Sequence, residues 1–330
     1  LFYHSTANLL ATGHGFPEPL NFIAYQEWYA SALHGPLYPL VLSFSSRLGG
    51  TTYFDHKFFS LLIGTAVVAL VGLVARRVAP EKHRNAVALL AMILAAIYPN
   101  LWLVDGVMFP EGLMAVCTTA TVYAAYCWRD TKRKSAQYRW ALAMGALVAL
   151  AALTRGEGLL LSVLLITPWI LLQRDVALRT RIKNIAVAAL ACLIVLAPWF
   201  IRNARSFEEL VPLSTNGNEL FVYANCDEAY SGKFLGFWLF DCQEQLRREG
   251  KDATGDEAQK SLYWREKGFD YAKDHISELP KVVAARVGRQ WELFRPWQNT
   301  EFAPIEGRDK NAARAGLFMY YGMAAASLYG

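Results

Sequence analysis

The stretch LVALAALTRGEGLLLSV, residues 147–163, sets Arg155 and Glu157 two positions apart inside an otherwise apolar run. Read as one membrane span, it would carry both charges into hydrocarbon, at a cost of roughly 2.5–3.5 kcal/mol for each such residue. Read as two short spans joined by Thr154-Arg155-Gly156-Glu157-Gly158, it is a glycine-assisted turn at a membrane face, and that cost is avoided. The second reading makes the chain polytopic.

Working outward from that turn, further apolar runs predict spans at 57–76, 85–101, 112–128, 139–153, 159–173, 184–201 and 313–330. Several are shorter than the ~20 residues that cross a bilayer upright, so tilt or burial against neighbours must help. The composition fits: of 330 residues 54% are hydrophobic and 18% charged, too apolar for an ordinary soluble domain. The net charge of +5 implies no nucleic-acid partner, because its lysines and arginines cluster between spans. Arg76, Arg77, Lys82 and Arg84 form one basic connection, Arg129, Lys132, Arg133 and Lys134 a second, and Arg174, Arg179, Arg181 and Lys183 a third. They alternate with connections that are not basic and are therefore expected on the cytoplasmic side.

The domain plan that follows has four parts. Residues 1–56 form an extracytoplasmic loop with interfacial helices, 57–201 a bundle of about six spans, 202–312 an extracytoplasmic domain of mixed structure, and 313–330 a last span. The fold class is an all-α polytopic membrane protein with a smaller mixed domain, in the plasma membrane with its active face extracytoplasmic. The chain starts at Leu1 and stops at Gly330 inside an apolar run, so it is expected to be a fragment trimmed at both ends.

Polar residues gather at one face by this count: Asp105 and Glu111 in VDGVMFPEGL, Arg155 and Glu157 in the opening turn, Arg202 and Asn203 in APWFIRNARSF. Cys226 and Cys242 fall in the exported domain, where an oxidising compartment favours a disulfide contributing roughly 3 kcal/mol. Cys117, Cys127 and Cys192 lie inside spans. No CxxC or HxxxH spacing occurs, so no metal site is expected. Two interfacial helices are expected. One covers 34–50, begun by Pro36 and ended by Gly49-Gly50. The other covers 279–295, with Val282, Val283, Ala285, Val287, Trp291 and Phe294 mostly on one face and Lys281, Arg286, Arg289 and Arg295 as a basic rim for lipid headgroups.

The segments LFYHSTANLLATGHGF (1–16), HGPLYPLVL (34–42), SLLIGTAVVALVGLVARRV (60–78), AAIYPNLWLVDGVMFPEGL (95–113), ALAALTRGEGLLL (149–161) and APWFIRNARSFEELVPLSTNGNELFVYANCD (197–227) follow one another in an informative order. In that order the chain, from Leu1 to about Arg308, resembles the actinobacterial branch of membrane glycosyltransferases related to the dolichyl-phosphate-mannose protein mannosyltransferases and the lipid A aminoarabinose transferases, enzymes of the GT-C fold class. The resemblance implies an acidic catalytic residue just ahead of Leu1. The chain departs from it at His34-Gly35-Pro36, where the family tends to have two prolines after the histidine. It departs again at Pro110-Glu111, where the family often has serine before the glutamate. Gly35 is expected to loosen the start of the interfacial helix, although Pro36 still fixes it.

An enzyme facing away from the cytoplasm has no nucleotide sugars, so its donor must be a polyprenyl-phosphate-linked sugar. Transfer then needs a carboxylate to take the acceptor hydroxyl's proton and donors to stabilise the leaving phosphate. His34, Arg155 and Arg202 are the candidate phosphate partners, with Glu157 holding or screening Arg155. Asp105 and Glu111 are the acids, Glu111 also being a weak catalytic candidate within the fragment. Tyr38, Asn203 and Asn216 complete the substrate-binding set, while Asn218 is read as turn-forming. The expected enzyme is an inverting glycosyltransferase without a cofactor. Its partners are the lipid-linked donor, membrane lipid, and an acceptor that is protein, lipid or polysaccharide. The competing readings are a transporter and a catalytically silent scaffold subunit. A transporter places ionisable groups at mid-span, whereas here they gather at one face.

Overall fold

In the computed structural model, which describes residues 1–329, every regular element is helical and no described residue lies in a β-strand. The mixed structure expected for residues 202–312 is thereby corrected. Those residues carry helix-start chemistry instead: Asp256 and Gln259 form a reciprocal capping box, Gln259 N donating to Asp256 Oδ1 at 2.9 Å and Asp256 N to Gln259 Oε1 at 3.0 Å.

The chain divides into two units, Leu1–Tyr29 with Gly35–Ile201, and Ala30–His34 with Arg202–Gly330. The first holds α1 (Phe2–Ala11), α2 (Pro19–Tyr25), α3 (Leu37–Arg47), α4 (Tyr53–Val78), α5 (Arg84–Ile97), α6 (Pro99–Gly106), α7 (Glu111–Asp130), α8 (Lys134–Thr154), α9 (Thr167–Leu171) and α10 (Leu178–Ser206), whose last residues belong to the second unit. Helices α4, α8 and α10 are each long and apolar enough to cross a membrane. The span expected at 85–101 is broken. Residues Glu81–Ile97 and Pro99–Gly106 bend by 46° at Tyr98, because Pro99 has no N–H to continue the helix and disfavours helical backbone at the residue before it. The span expected at 159–173 is also irregular, a 3₁₀ turn (Gly156–Leu159) and a π turn (Ser162–Ile166) leading into α9 and Pro168.

Helices α7, α8, α9 and α10 share a core of Trp128, Met144, Val148, Ile170 and Ala188. Within it the Trp128 indole N–H donates to Asn184 Oδ1 at 3.1 Å, so the polar atoms buried there satisfy each other. Helices α1, α3 and α4 are pinned by a second polar chain. His4 Nδ1 meets His56 Nδ1 at 3.0 Å, His56 Nε2 meets the Ser46 hydroxyl at 2.8 Å, and Ser46 donates to Asn8 Oδ1 at 2.8 Å. The interfacial helix expected at 34–50 is α3, closed by Gly49 at φ +95°. Gly35 does the opposite of loosening it. A Cβ there would lie 2.3 Å from the Leu153 carbonyl oxygen, so glycine is what allows the chain to pass against the end of α8.

The second unit holds α11 (Asn216–Ala224), α12 (Asp227–Tyr230), α13 (Asp241–Arg248), α14 (Glu257–Asp274), α15 (Leu279–Gln290), α16 (Pro296–Phe302) and α17 (Lys310–Tyr329). Phe221 and Phe269 stack at 4.4 Å between α11 and α14, and Trp264 and Val222 are buried beside them. Cys226 and Cys242 are joined in a disulfide with Cα atoms 5.6 Å apart, inside a small core with Ala229, Tyr230 and Val282.

Helix α15 corrects the expected basic rim. Val282, Ala285 and Arg289 are buried, while Val283, Val287 and Trp291 are exposed. At 100° per residue, neighbours such as Val282 and Val283 cannot share a face. The arginines turn inward because carbonyls await them: Arg289 Nε donates to Leu235 O at 2.8 Å, and Arg286 Nη2 donates to Ala224 O.

Candidate active site

In the first unit the turn after α8 places Arg155 between two carboxylates. Arg155 Nε donates to Glu157 Oε1 at 2.6 Å, and its Nη1 donates to Glu111 Oε1 at the start of α7. Proline-capped α7 presents Glu111 as its first residue, where an acid suits the positive end of the helix dipole. Burial alone would disfavour the guanidinium charge, but Glu111 and Glu157 outweigh it and hold the Arg155 pKa above its ordinary value. The second Glu111 oxygen, Oε2, is buried and has no hydrogen-bond partner.

Glu111 and Asp105 both line a cavity of about 390 Å³ whose walls are largely apolar, among them Leu61, Val67, Ala95 and Trp102. Asp105 is 3% exposed and wedged between two helices. A Cβ on Gly64 of α4 would lie 1.8 Å from Asp105 Oδ2, and one on Gly112 of α7 would lie 1.9 Å from Oδ1. Glycine at both positions leaves the space that this carboxylate fills.

Tyr38, buried in α3, shares a 2.8 Å hydrogen bond with Ser60 of α4, and Tyr3 packs edge-on against it with ring centroids 5.1 Å apart. Burial first, then the nearby carboxylates, push both phenols above their ordinary pKa, so both stay neutral. Sequence reasoning had not singled out Tyr3 or Ser60. No candidate position lies on α1 or α4, so only the fold brings these two residues to Tyr38.

The structure brings Tyr38, Asp105, Glu111, Arg155 and Glu157 together in the first unit and carries His34, Arg202, Asn203 and Asn216 in the second. There Arg202 Nη1 donates to Ser31 O at 2.9 Å and to Asn203 Oδ1 at 3.0 Å. Asn203 is fully buried and gives its amide to Val211 O at 3.1 Å, which secures the end of α10. Asn216 starts α11 and donates its backbone N–H to Leu33 O at 3.3 Å. Asn218 lies in the same helix, its amide 3.0 Å from Ser261 Oγ, rather than in a turn.

Glu257, which sequence reasoning passed over, holds this region: Oε1 accepts from Ala32 N and from Thr215 Oγ1, each at 2.8 Å. Burial leads the shift that raises its pKa, although those hydrogen bonds oppose it. Its signal was the capping box beside it, which places Glu257 in the first turn of α14.

Among the described residues no cluster of three or more metal-ligating side chains occurs. A family model described as dolichyl-phosphate-mannose-protein mannosyltransferase matches residues 22–208. The fold is shared by ArnT from Cupriavidus metallidurans in the apo state, with a TM-score of 0.52 and 14% identity over 97% of this chain and 70% of that one. It is shared equally by ArnT from Cupriavidus metallidurans bound to undecaprenyl phosphate, with a TM-score of 0.51 and 15% identity over 99% and 66%. This chain thus spans about two thirds of the length of those structures. No curated protein matches it in sequence.

Proposed function

We infer the function from one premise: the chain belongs to the dolichyl-phosphate-mannose-protein mannosyltransferase family. It acts, in this reading, as an inverting glycosyltransferase that moves a hexosyl or pentosyl group from a polyprenyl-phosphate donor to an extracytoplasmic acceptor. The undecaprenyl phosphate bound to the similarly folded ArnT supports a lipid-phosphate donor. The plan of residues 1–56, 57–201, 202–312 and 313–330 belongs to the same proposal, with the basic connections cytoplasmic.

One observation carries the reading. Glu111 is gripped through one oxygen by Arg155 while its other oxygen is buried and unpaired, beside a cavity that Asp105 also lines. A buried carboxylate oxygen without a partner costs about 1–3 kcal/mol, and a hydroxyl brought to it removes that cost. In the reaction, the acceptor oxygen attacks the anomeric carbon, the bond from that carbon to the phosphate oxygen breaks, and the lipid phosphate leaves with the electron pair. The acceptor proton passes to a carboxylate. Glu111 takes that proton, or holds the hydroxyl in place while it leaves. Arg155 has spent two N–H groups on carboxylates, and the rest of its fork is free to meet the departing phosphate. Asp105, Tyr38, Glu157, His34, Arg202, Asn203 and Asn216 remain substrate-binding candidates.

The test is transfer from a radiolabelled polyprenyl-phosphate sugar in membranes holding the full-length protein. Glu111→Gln keeps the shape and removes the base, and should slow transfer by about 10²–10⁴-fold. A wild-type rate would defeat this assignment.

A further inference from the structure

The second unit contains a cavity of about 570 Å³, within the usual ~300–1,000 Å³ of small-molecule sites. It lies outside residues 22–208, so the family match says nothing about it. Three arginines line it, Arg286, Arg289 and Arg308, against the two carboxylates Glu292 and Glu306. Arg308 is paired with Glu306. Arg286 and Arg289 have no ion pair among the described residues, and their hydrogen bonds go to neutral carbonyl and amide oxygens. With Glu306 taken by Arg308, Glu292 is the one lining carboxylate left to face Arg286 and Arg289, so the three arginines and two carboxylates leave the lining one net positive charge. In addition, the Nε atoms of Arg286 and Arg308 are buried without a partner, two N–H donors left unused in a place where water is scarce.

The rest of the wall is aromatic and amide. Phe237 and Phe302 face each other with centroids 4.8 Å apart, and Trp238, 42% exposed, stacks nearly parallel to Phe237. Gln290, Asn299 and Glu292 supply hydrogen-bonding groups between them. At the rim the backbone turns sharply. Glu292 and Arg295 both take the left-handed conformation, φ +54° and +50°, a strain that persists only where the surroundings enforce it. Here Asn299 Nδ2 donates to Glu292 Oε2 at 3.0 Å and the Tyr321 hydroxyl donates to Glu292 O.

We propose that this cavity is a binding site for an acidic saccharide, a pyranose ring bearing a phosphate or carboxylate. Ring C–H faces lie against Trp238 and Phe237, hydroxyls meet Gln290, Asn299 and Glu292, and the anion meets Arg286 and Arg308, where guanidinium geometry suits both acid groups. A lipid tail would gain nothing from the amides and carboxylates, and a bare anion would leave the aromatic wall unused. The inference is independent of the transfer reaction proposed above.

The test is calorimetric titration of the full chain in zwitterionic-lipid nanodiscs with mannose 6-phosphate, glucuronate, mannose, inorganic phosphate and phosphatidate. The two acidic sugars should bind at least ten-fold more tightly than mannose or inorganic phosphate. Arg308→Gln should weaken them about ten-fold, while Trp238→Ala should weaken the sugars and leave inorganic phosphate unchanged. Arg286 also braces the Ala224 carbonyl, so Arg286→Gln is read only if its unfolding temperature matches that of the parent. Failure of the sugars to bind, equal binding of inorganic phosphate, or displacement by phosphatidate alone would each overturn the proposal. Because binding is read directly, Glu111→Gln protein should give the same result, and a failure here is distinguishable from a failure of the transfer mechanism.

Discussion

Arg155 in the first unit and Arg289 in the second use the same side chain in opposite ways. Arg155 stands part-exposed between Glu111 and Glu157, and its charge organises two carboxylates at a cavity. Arg289 is 6% exposed and gives its donors to Leu235 O, Lys233 O, Gln298 and Asn299, closing loops that have no regular partner. The difference teaches that an arginine's role follows from what accepts its hydrogen bonds. Carbonyl and amide acceptors on every side make Arg289 a structural brace, whereas the two carboxylates make Arg155 part of a polar centre that still has chemistry to do.

If the second unit is held by such braces, its covalent tie should matter most. Cys226→Ser should lower its stability by roughly 3 kcal/mol, the value expected for a loop of this length, read as a fall in unfolding temperature that reducing agent reproduces in the parent. An unchanged melt would mean that the arginine network suffices alone. In the first unit, Gly35→Ala should cost about 1–3 kcal/mol by overpacking against the Leu153 carbonyl. A silent substitution would show that the approach to α8 is looser than described.

Glu257 sharpens the comparison through pH. Its pKa is raised from an ordinary 4.5, chiefly by burial, so the folded state holds the proton more tightly than the unfolded chain does. The resulting stability is complete below about pH 4.5 and is lost as pH rises through the higher folded value. The second unit should therefore soften over that window, and Glu257→Gln, which keeps an acceptor for Ala32 N and Thr215 without the charge, should flatten the slope in a pH series of melts. The smallest effect belongs to Glu157, whose side chain is 53% exposed. Glu157→Gln should change stability by less than ~1 kcal/mol.

Much of this was legible beforehand. The all-α class followed from apolar runs and basic connections, and the turn at 154–158 followed from two glycines around two charges. Glu111 stood out as one of the acids gathered at the expected extracytoplasmic face. What the sequence hid was long-range. Nothing local pairs Arg155 with a residue 44 positions away. Residues 30–34 lie outside any helix and show no periodicity, so their bonding to Thr215, Asn216 and Glu257 left no trace in the pattern. Helix α15 misled because its arginines read as surface charge, whereas inward-facing carbonyls decide their direction.

The topology behind the transfer proposal has its own check. A cysteine at Ser135 should be shielded from an impermeant thiol reagent in intact cells and one at Thr254 labelled, both positions being exposed in the structure. The reverse pattern would move the proposed active face to the cytoplasm.

The most direct test of the account is the transfer rate of Arg155→Lys, with Arg155→Ala beside it, in membranes supplied with a radiolabelled polyprenyl-phosphate sugar. Lysine keeps the charge but cannot hold Glu111 and Glu157 with a planar fork. The account predicts at least a ten-fold loss for lysine and a larger one for alanine, a few kcal/mol of transition-state stabilisation, with insertion and unfolding temperature unchanged. Wild-type transfer by Arg155→Ala would contradict it and leave Arg155 a membrane-edge ion pair.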